Sequence, residues 1–228
     1  MSDRRSHFHR ELAELEAKLM GVAERAERMI GEAVRAVVED TPALADAVIA
    51  QDDEIDRIYL AIHDRWLELM ARQQPMGSDL RLMSAILVLN ATLERMGDQC
   101  VNISKMAKVV HGLPRSQQIL TELQEMADLV RPMVRTAMDA FVRRDVPTAL
   151  TLPEMDEPVD RLNRQMYRRV VECGPRKEQL EWATRMMMVA RALERIGDQA
   201  VDVAEQVVFL ATGEFREFGD TAGTGEHG

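Results

Sequence analysis

Eight carboxylates carry most of the chemistry this chain can offer, and they come in pairs. Asp52 and Asp56, Glu94 and Asp98, Asp156 and Asp160, and Glu194 and Asp198 are each spaced i, i+4. In a helix such a pair stacks on a single face. Like charges there cost about 0.2–0.5 kcal/mol, whereas a Lys or Arg in the second place would gain a similar amount. For any one pair the ordinary reading is a solvated acidic face. Four pairs, on two helices of each half of the chain, point instead to cation binding. Carboxylates and water suit hard ions such as Mg²⁺, Mn²⁺ or Fe³⁺, and the thiolate or imidazole set of structural zinc is missing. His63, two turns after Asp56 on the same face, is the one additional ligand candidate.

A glycine precedes the second acid of two pairs, Gly97 before Asp98 and Gly197 before Asp198. Each weakens its helix by up to about 1 kcal/mol, so close approach is its use. Either a neighbouring helix or the outer ligands of a metal would come near, and a plain helix crossing serves equally well.

The elements that position these groups form a repeat. Leu93-Glu94-Arg95-Met96-Gly97-Asp98-Gln99-Cys100-Val101 returns as Leu193-Glu194-Arg195-Ile196-Gly197-Asp198-Gln199-Ala200-Val201, identical at seven of nine positions. Upstream, Asp52 to Ile58 corresponds to Asp156 to Leu162 in the same order. Duplication of a three-helix unit explains both. Helical periodicity marks six stretches, roughly 5–39, 42–73, 78–110, 115–144, 146–173 and 176–211. Thr41-Pro42, Gln74 to Asp79 with Ser78 as cap, Gly112-Leu113-Pro114 and Cys173-Gly174-Pro175 supply the breaks. The expected fold is all-α, six long helices forming two pseudo-repeated antiparallel three-helix bundles. Its expected domains are 1–111 and 115–212, followed by a flexible tail over 213–228.

Pro158 falls inside the Asp156/Asp160 pair. An interior proline removes a backbone hydrogen bond and costs about 3 kcal/mol. A helix starting afresh near Glu157 would leave Asp156 at its mouth, so the first set of four carboxylates is expected to hold metal more tightly than the second.

Composition agrees with long helices: 46% hydrophobic and 30% charged residues, but only 4% aromatic. A net charge of −10 without a basic stripe argues against a nucleic-acid partner. The N-terminus lacks the apolar core of a signal peptide and no run of about 18 apolar residues occurs, so the expected location is cytoplasmic, with membrane contact only indirect. Cys100 and Cys173 read as reduced thiols.

Ala71-Arg72-Gln73-Gln74-Pro75, Ser78-Asp79-Leu80-Arg81 and the duplicated Leu-Glu-Arg-x-Gly-Asp together resemble the signatures of the PhoU family over about residues 8–212. The resemblance implies a regulator rather than an enzyme. Such a protein holds the phosphate-starvation response off by linking a phosphate ABC transporter, through its ATPase, to a sensor histidine kinase, and a homodimer is the expected assembly. It further implies metal ions, of iron, manganese, magnesium or zinc, on Asp52, Asp56, Glu94 and Asp98 in one site and on Asp156, Asp160, Glu194 and Asp198 in the other. The alternative is a metal-dependent all-α nucleotide phosphohydrolase.

Overall fold

The computed structural model describes residues 2–174 and 176–218. Its helices are α1 (Ser2–Val38), α2 (Pro42–Gln73), α3 (Ser78–Val109), α4 (Gln117–Arg143), α5 (Val146–Ala149), α6 (Leu152–Glu172) and α7 (Lys177–Thr212), and among the described residues there is no strand. The expected all-α architecture of six long helices is therefore present, with one short extra turn.

The breaks follow from local chemistry. Thr41 is extended before Pro42, which needs no hydrogen-bond partner in the first turn, and Gln74 ends α2 in the left-handed region at φ 47°. Gly77, at φ 60°, is the residue before α3, so Ser78 is the first helical residue and not the cap expected of it. Asp145 caps α5 by accepting a 3.1 Å hydrogen bond from the Thr148 backbone N–H, and the fifth predicted helix is interrupted at residues 150–151, where Pro153, with no N–H for the preceding ladder, instead helps start α6. Pro175 lies outside the described residues.

Heptad spacing buries Val48, Ile55, Ile62 and Leu69 of α2 against Met83, Ile86, Leu89, Leu93 and Met96 of α3. Each such side chain is worth about 1.5–3 kcal/mol when fully removed from water. α1, α2 and α3 pack pairwise, as do α4, α6 and α7, while α1 lies on α4 and α3 on α7. The buried apolar residues of the two halves join in one core. α2 and α6 thus take matching outer places, and the Glu-Arg-x-Gly-Asp segments sit on the matching helices α3 and α7.

A further correspondence confirms the register. Glu11 of α1, 3% exposed, is held by Arg65 of α2, which also pairs with Glu68; Glu122 of α4, 8% exposed, is held at 2.7 Å by Arg169 of α6, which also pairs with Glu172. The spacing that relates Asp52 to Asp156 also relates Arg65 to Arg169 and Glu68 to Glu172. Extending the motif register by four turns would have found this pair of buried clamps.

The last turn of α7 ends at Gly213, φ 79°. Residues 214–218 then fold back, and the Phe218 N–H donates to Glu205 Oε1 at 2.7 Å. That portion of the expected tail is packed against α7, while 219–228 lie outside the described residues. No helix is long and apolar enough to cross a membrane among the described residues.

Candidate metal centre

Each duplicated glycine makes room for an aspartate of the neighbouring helix. A Cβ on Gly97 would lie 2.7 Å from Asp52 Oδ1 and 3.1 Å from Ile55 Cδ1. On Gly197 it would meet Asp156 Oδ1 more closely still. Both distances are below ordinary contact, so glycine is what allows α2 to lay Asp52 over α3, and α6 to lay Asp156 over α7. The Asn90 side chain donates to the Tyr59 carbonyl at 3.0 Å and Trp66 Nε1 to the Met83 carbonyl at 2.6 Å, fastening α2 to α3 successively further along the pair from that crossing.

The ladders are less solvent-facing than a plain solvated acidic face would be. Asp98 and Asp198 are exposed, but Glu94 is half-buried and Glu194 is only 6% exposed. The reason is tertiary: each Glu faces the neighbouring acidic helix, α2 or α6, rather than water. His63 does not join the cluster, and its ring lies 6.4 Å from that of Tyr59.

The two sets differ in convergence. Asp156, Asp160 and Asp198 each bring one carboxylate oxygen to within 4.8 Å of the others. Metal–oxygen distances of about 2.0–2.6 Å place the ligands of one hard cation within about 5 Å of each other, so this group fits. Asp52, Asp56, Glu94 and Asp98 do not gather in this way among the described residues. The expectation for Pro158 is also reversed. α6 starts at Leu152, with Pro153 in its first turn and Pro158 inside, so Asp156 stands on the helix face. Only the bond to the exposed Glu154 carbonyl is forgone.

Guanidinium groups complete the second set. Arg164 bonds Asp160 at 3.2 Å and Glu157 at 2.8 Å, and Arg191 pairs with Glu194 Oε1. That pairing takes Glu194 out of the converging trio. Asp156 Oδ1 and Glu194 Oε2 are nonetheless buried with no hydrogen-bond partner. Orphaned carboxylate oxygens in such a place are costly unless something positive reaches them.

Electrostatics tell the same story. Burial, then the charges of Asp160, Asp198, Glu194 and Glu157, push Asp156 up to about 7. Burial, then Asp56, Asp98, Glu94 and Asp53, push Asp52 up to about 6. Burial likewise raises Glu94, Glu194 and Asp198, with neighbouring acids adding to it and arginines opposing it. Carboxylates crowded until they resist ionising are a candidate for holding a cation. Cys100, by contrast, is a buried free thiol raised chiefly by desolvation, and Cys173 is a free thiol raised the same way.

Comparison with known proteins gives the arrangement a family. The model of the PhoU domain matches twice, over residues 19–107 and 123–207. The phosphate-specific transport system accessory protein PhoU homolog of Clostridium acetobutylicum is 29% identical over 95% of this chain and 99% of its own length, and that of Pseudomonas putida is 32% identical over 90% and 81%. The crystal structure of PhoU from Pseudomonas aeruginosa superposes with a TM-score of 0.85 at 30% identity, covering 91% of this chain and all of that one. The phosphate transport system regulatory protein PhoU from Streptococcus pneumoniae superposes equally well at 25% identity. With a duplicated acidic motif on matching helices, a family match in each half and a shared three-dimensional fold, the chain belongs to the PhoU family.

Proposed function

We propose that this protein is an accessory regulator of a phosphate-specific transport system. It restrains phosphate uptake and the phosphate-starvation response by linking the transporter's ATPase to a sensor histidine kinase. The observation that carries the reading is the family match in both halves, supported by the names of the relatives. It acts in the cytoplasm by binding, as a homodimer, with 1–111 and 115–212 as its two units. Deleting the gene should derepress phosphate-starvation genes in phosphate-rich medium; unchanged expression overturns the proposal.

Metal is part of the same reading. Asp156, Asp160 and Asp198 would hold a hard cation, with Asp52, Asp56, Glu94 and Asp98 as a second, looser set and Glu194 alongside. Once bound, the ion would supply a crosslink between α6 and α7. The side chains' own part is to present oxygens at that helix crossing, with Gly197 giving Asp156 its place.

Arg164 and Arg191 beside these acids favour one other reading, a metal-dependent phosphohydrolase, because such an enzyme needs cations for its substrate's phosphates. Both arginines are already paired with carboxylates, which favours the regulator. Nucleoside triphosphates incubated with Mg²⁺ or Mn²⁺ should stay intact; turnover abolished by Glu194→Gln would establish the enzyme.

A further inference from the structure

Two grooves flank the seam where α3 packs on α7, and they are counterparts in the repeat. The register that equates Glu94 with Glu194 also equates Val88 with Met188, Arg95 with Arg195, and Asn102 with Asp202. Val88, Arg95 and Asp202 line one groove; Met188, Arg195 and Asn102 line the other.

The first groove is partly filled by the chain itself. After Gly213 the chain turns back along α7, Phe215 and Glu217 form part of the groove's wall, and the Phe215 ring lies 6.4 Å from that of Phe209. About 360 Å³ remains. The second groove is open, at about 640 Å³, because at the matching point the chain leaves α3 through Gly112 and goes on to build α4.

Their charges differ in the same sense. In the first groove burial raises Asp202 above the ordinary carboxylate range, with Arg95 opposing that shift and the acid Glu217 adding to it. In the second, Asn102 stands where Asp202 would, and Arg195, like Arg95 without an ion pair among the described residues, acts on Glu194 and Asp198 of its own helix. Arg164 and Arg191 join the wall at positions matched by Leu60 and Ala91 in the first half. Tyr167, 67% exposed, adds an aromatic surface. The molecule thus shows an aromatic and acidic segment against one groove and leaves the more basic copy open.

We infer that the groove between α3 and the α6–α7 pair docks an acidic segment of a partner protein that carries an aromatic side chain, much as residues 214–218 cover its counterpart. Arg195, which makes no ion pair among the described residues, faces the carboxylates, with Arg164 and Arg191 beside it already held by acids of the chain; the exposed amide of Asn102 meets backbone, and Met188 and Tyr167 receive the ring. The inference deepens the regulator reading and rests on it for a partner. A binding measurement with a synthetic peptide succeeds or fails independently of gene expression.

A fluorescein-labelled hexapeptide alternating glutamate and phenylalanine, titrated into the full chain and followed by anisotropy, should bind saturably and weaken as salt rises. Asn102→Asp, which gives this groove its counterpart's charge at an exposed position, should weaken binding about tenfold, and Arg195→Gln should do likewise. A peptide with alanine for phenylalanine should lose a similar factor. Absence of binding, or binding indifferent to both substitutions in a folded protein, overturns the inference. Adenosine monophosphate binding more tightly than the peptide overturns the choice of occupant in favour of a small phosphate. Peptide binding that appears only after removal of residues 214–228 overturns the choice of groove.

Discussion

The two halves of this molecule carry the same four carboxylates on matching helices, yet they arrange them differently. In the second half Asp156, Asp160 and Asp198 converge; in the first, Asp52, Asp56, Glu94 and Asp98 crowd one another without three of them bringing oxygens that close together. The difference tracks two positions outside the motif. Arg164 and Arg191 sit against Asp160 and Glu194, where the first half has Leu60 and Ala91. The Arg164 guanidinium offsets repulsion on Asp160, a member of the converging trio, while Arg191 holds Glu194 outside it. A shared motif therefore specifies which residues are available, and its neighbours decide whether they meet. Preorganised geometry outweighs diffuse charge at a screened site, so the second set is the one expected to bind metal more tightly, opposite to the order that Pro158 implied.

The largest expected effect tests that ranking directly. Asp156→Asn with Asp198→Asn should remove most of the metal from protein purified without an affinity tag, and Asp52→Asn with Asp98→Asn much less, as measured by elemental analysis. Equal losses would show that convergence in the isolated chain does not govern binding.

Gly197→Ala should be next. Its Cβ would press on Asp156 Oδ1, whereas in Gly97→Ala the approach to Asp52 Oδ1 is 2.7 Å and less severe. Metal affinity should fall about tenfold for the first and less for the second, since sites tolerate misplacement of only about 0.5 Å. A Gly97→Ala loss exceeding that of Gly197→Ala would invert the comparison.

The pH dependence separates the halves more finely. Asp52, at about 6, and Asp156, at about 7, bind protons more tightly folded than unfolded, where such a carboxyl has its model value of 3.8. The stability they lend is complete below that unfolded value and is lost as pH rises through the folded one. Melting temperature of metal-free protein should therefore fall from pH 5 to pH 8, through the window set by these two values. Asp156→Asn should flatten the fall more than Asp52→Asn, by about 1–3 kcal/mol at the upper end. Added divalent cation should restore the loss at high pH; a melting temperature that climbs across this window would contradict the crowding of these acids.

The smallest effect is expected at Pro158. With α6 already formed from Leu152, Pro158→Ala should leave metal affinity within about twofold. A tenfold gain in a calorimetric titration would mean that the proline does displace Asp156.

What the sequence alone determined is what periodicity and local chemistry encode. Helical periodicity over 42–73 marked a helix, Thr41-Pro42 and Gly112 marked its neighbours' limits, and the Glu-Arg-x-Gly-Asp repeat revealed the duplication. The eight acids could be named because i, i+4 spacing is a property of one helix. Their roles could not, because roles depend on a second helix. Tertiary packing turned Glu94 and Glu194 inward, set Asp156 over Gly197, drew Glu194 to Arg191 and left one of two equivalent grooves open. A one-dimensional pattern fixes the face a residue occupies on its own helix, but contact energies between helices depend on distances of a few tenths of an ångström that only the assembled bundle defines.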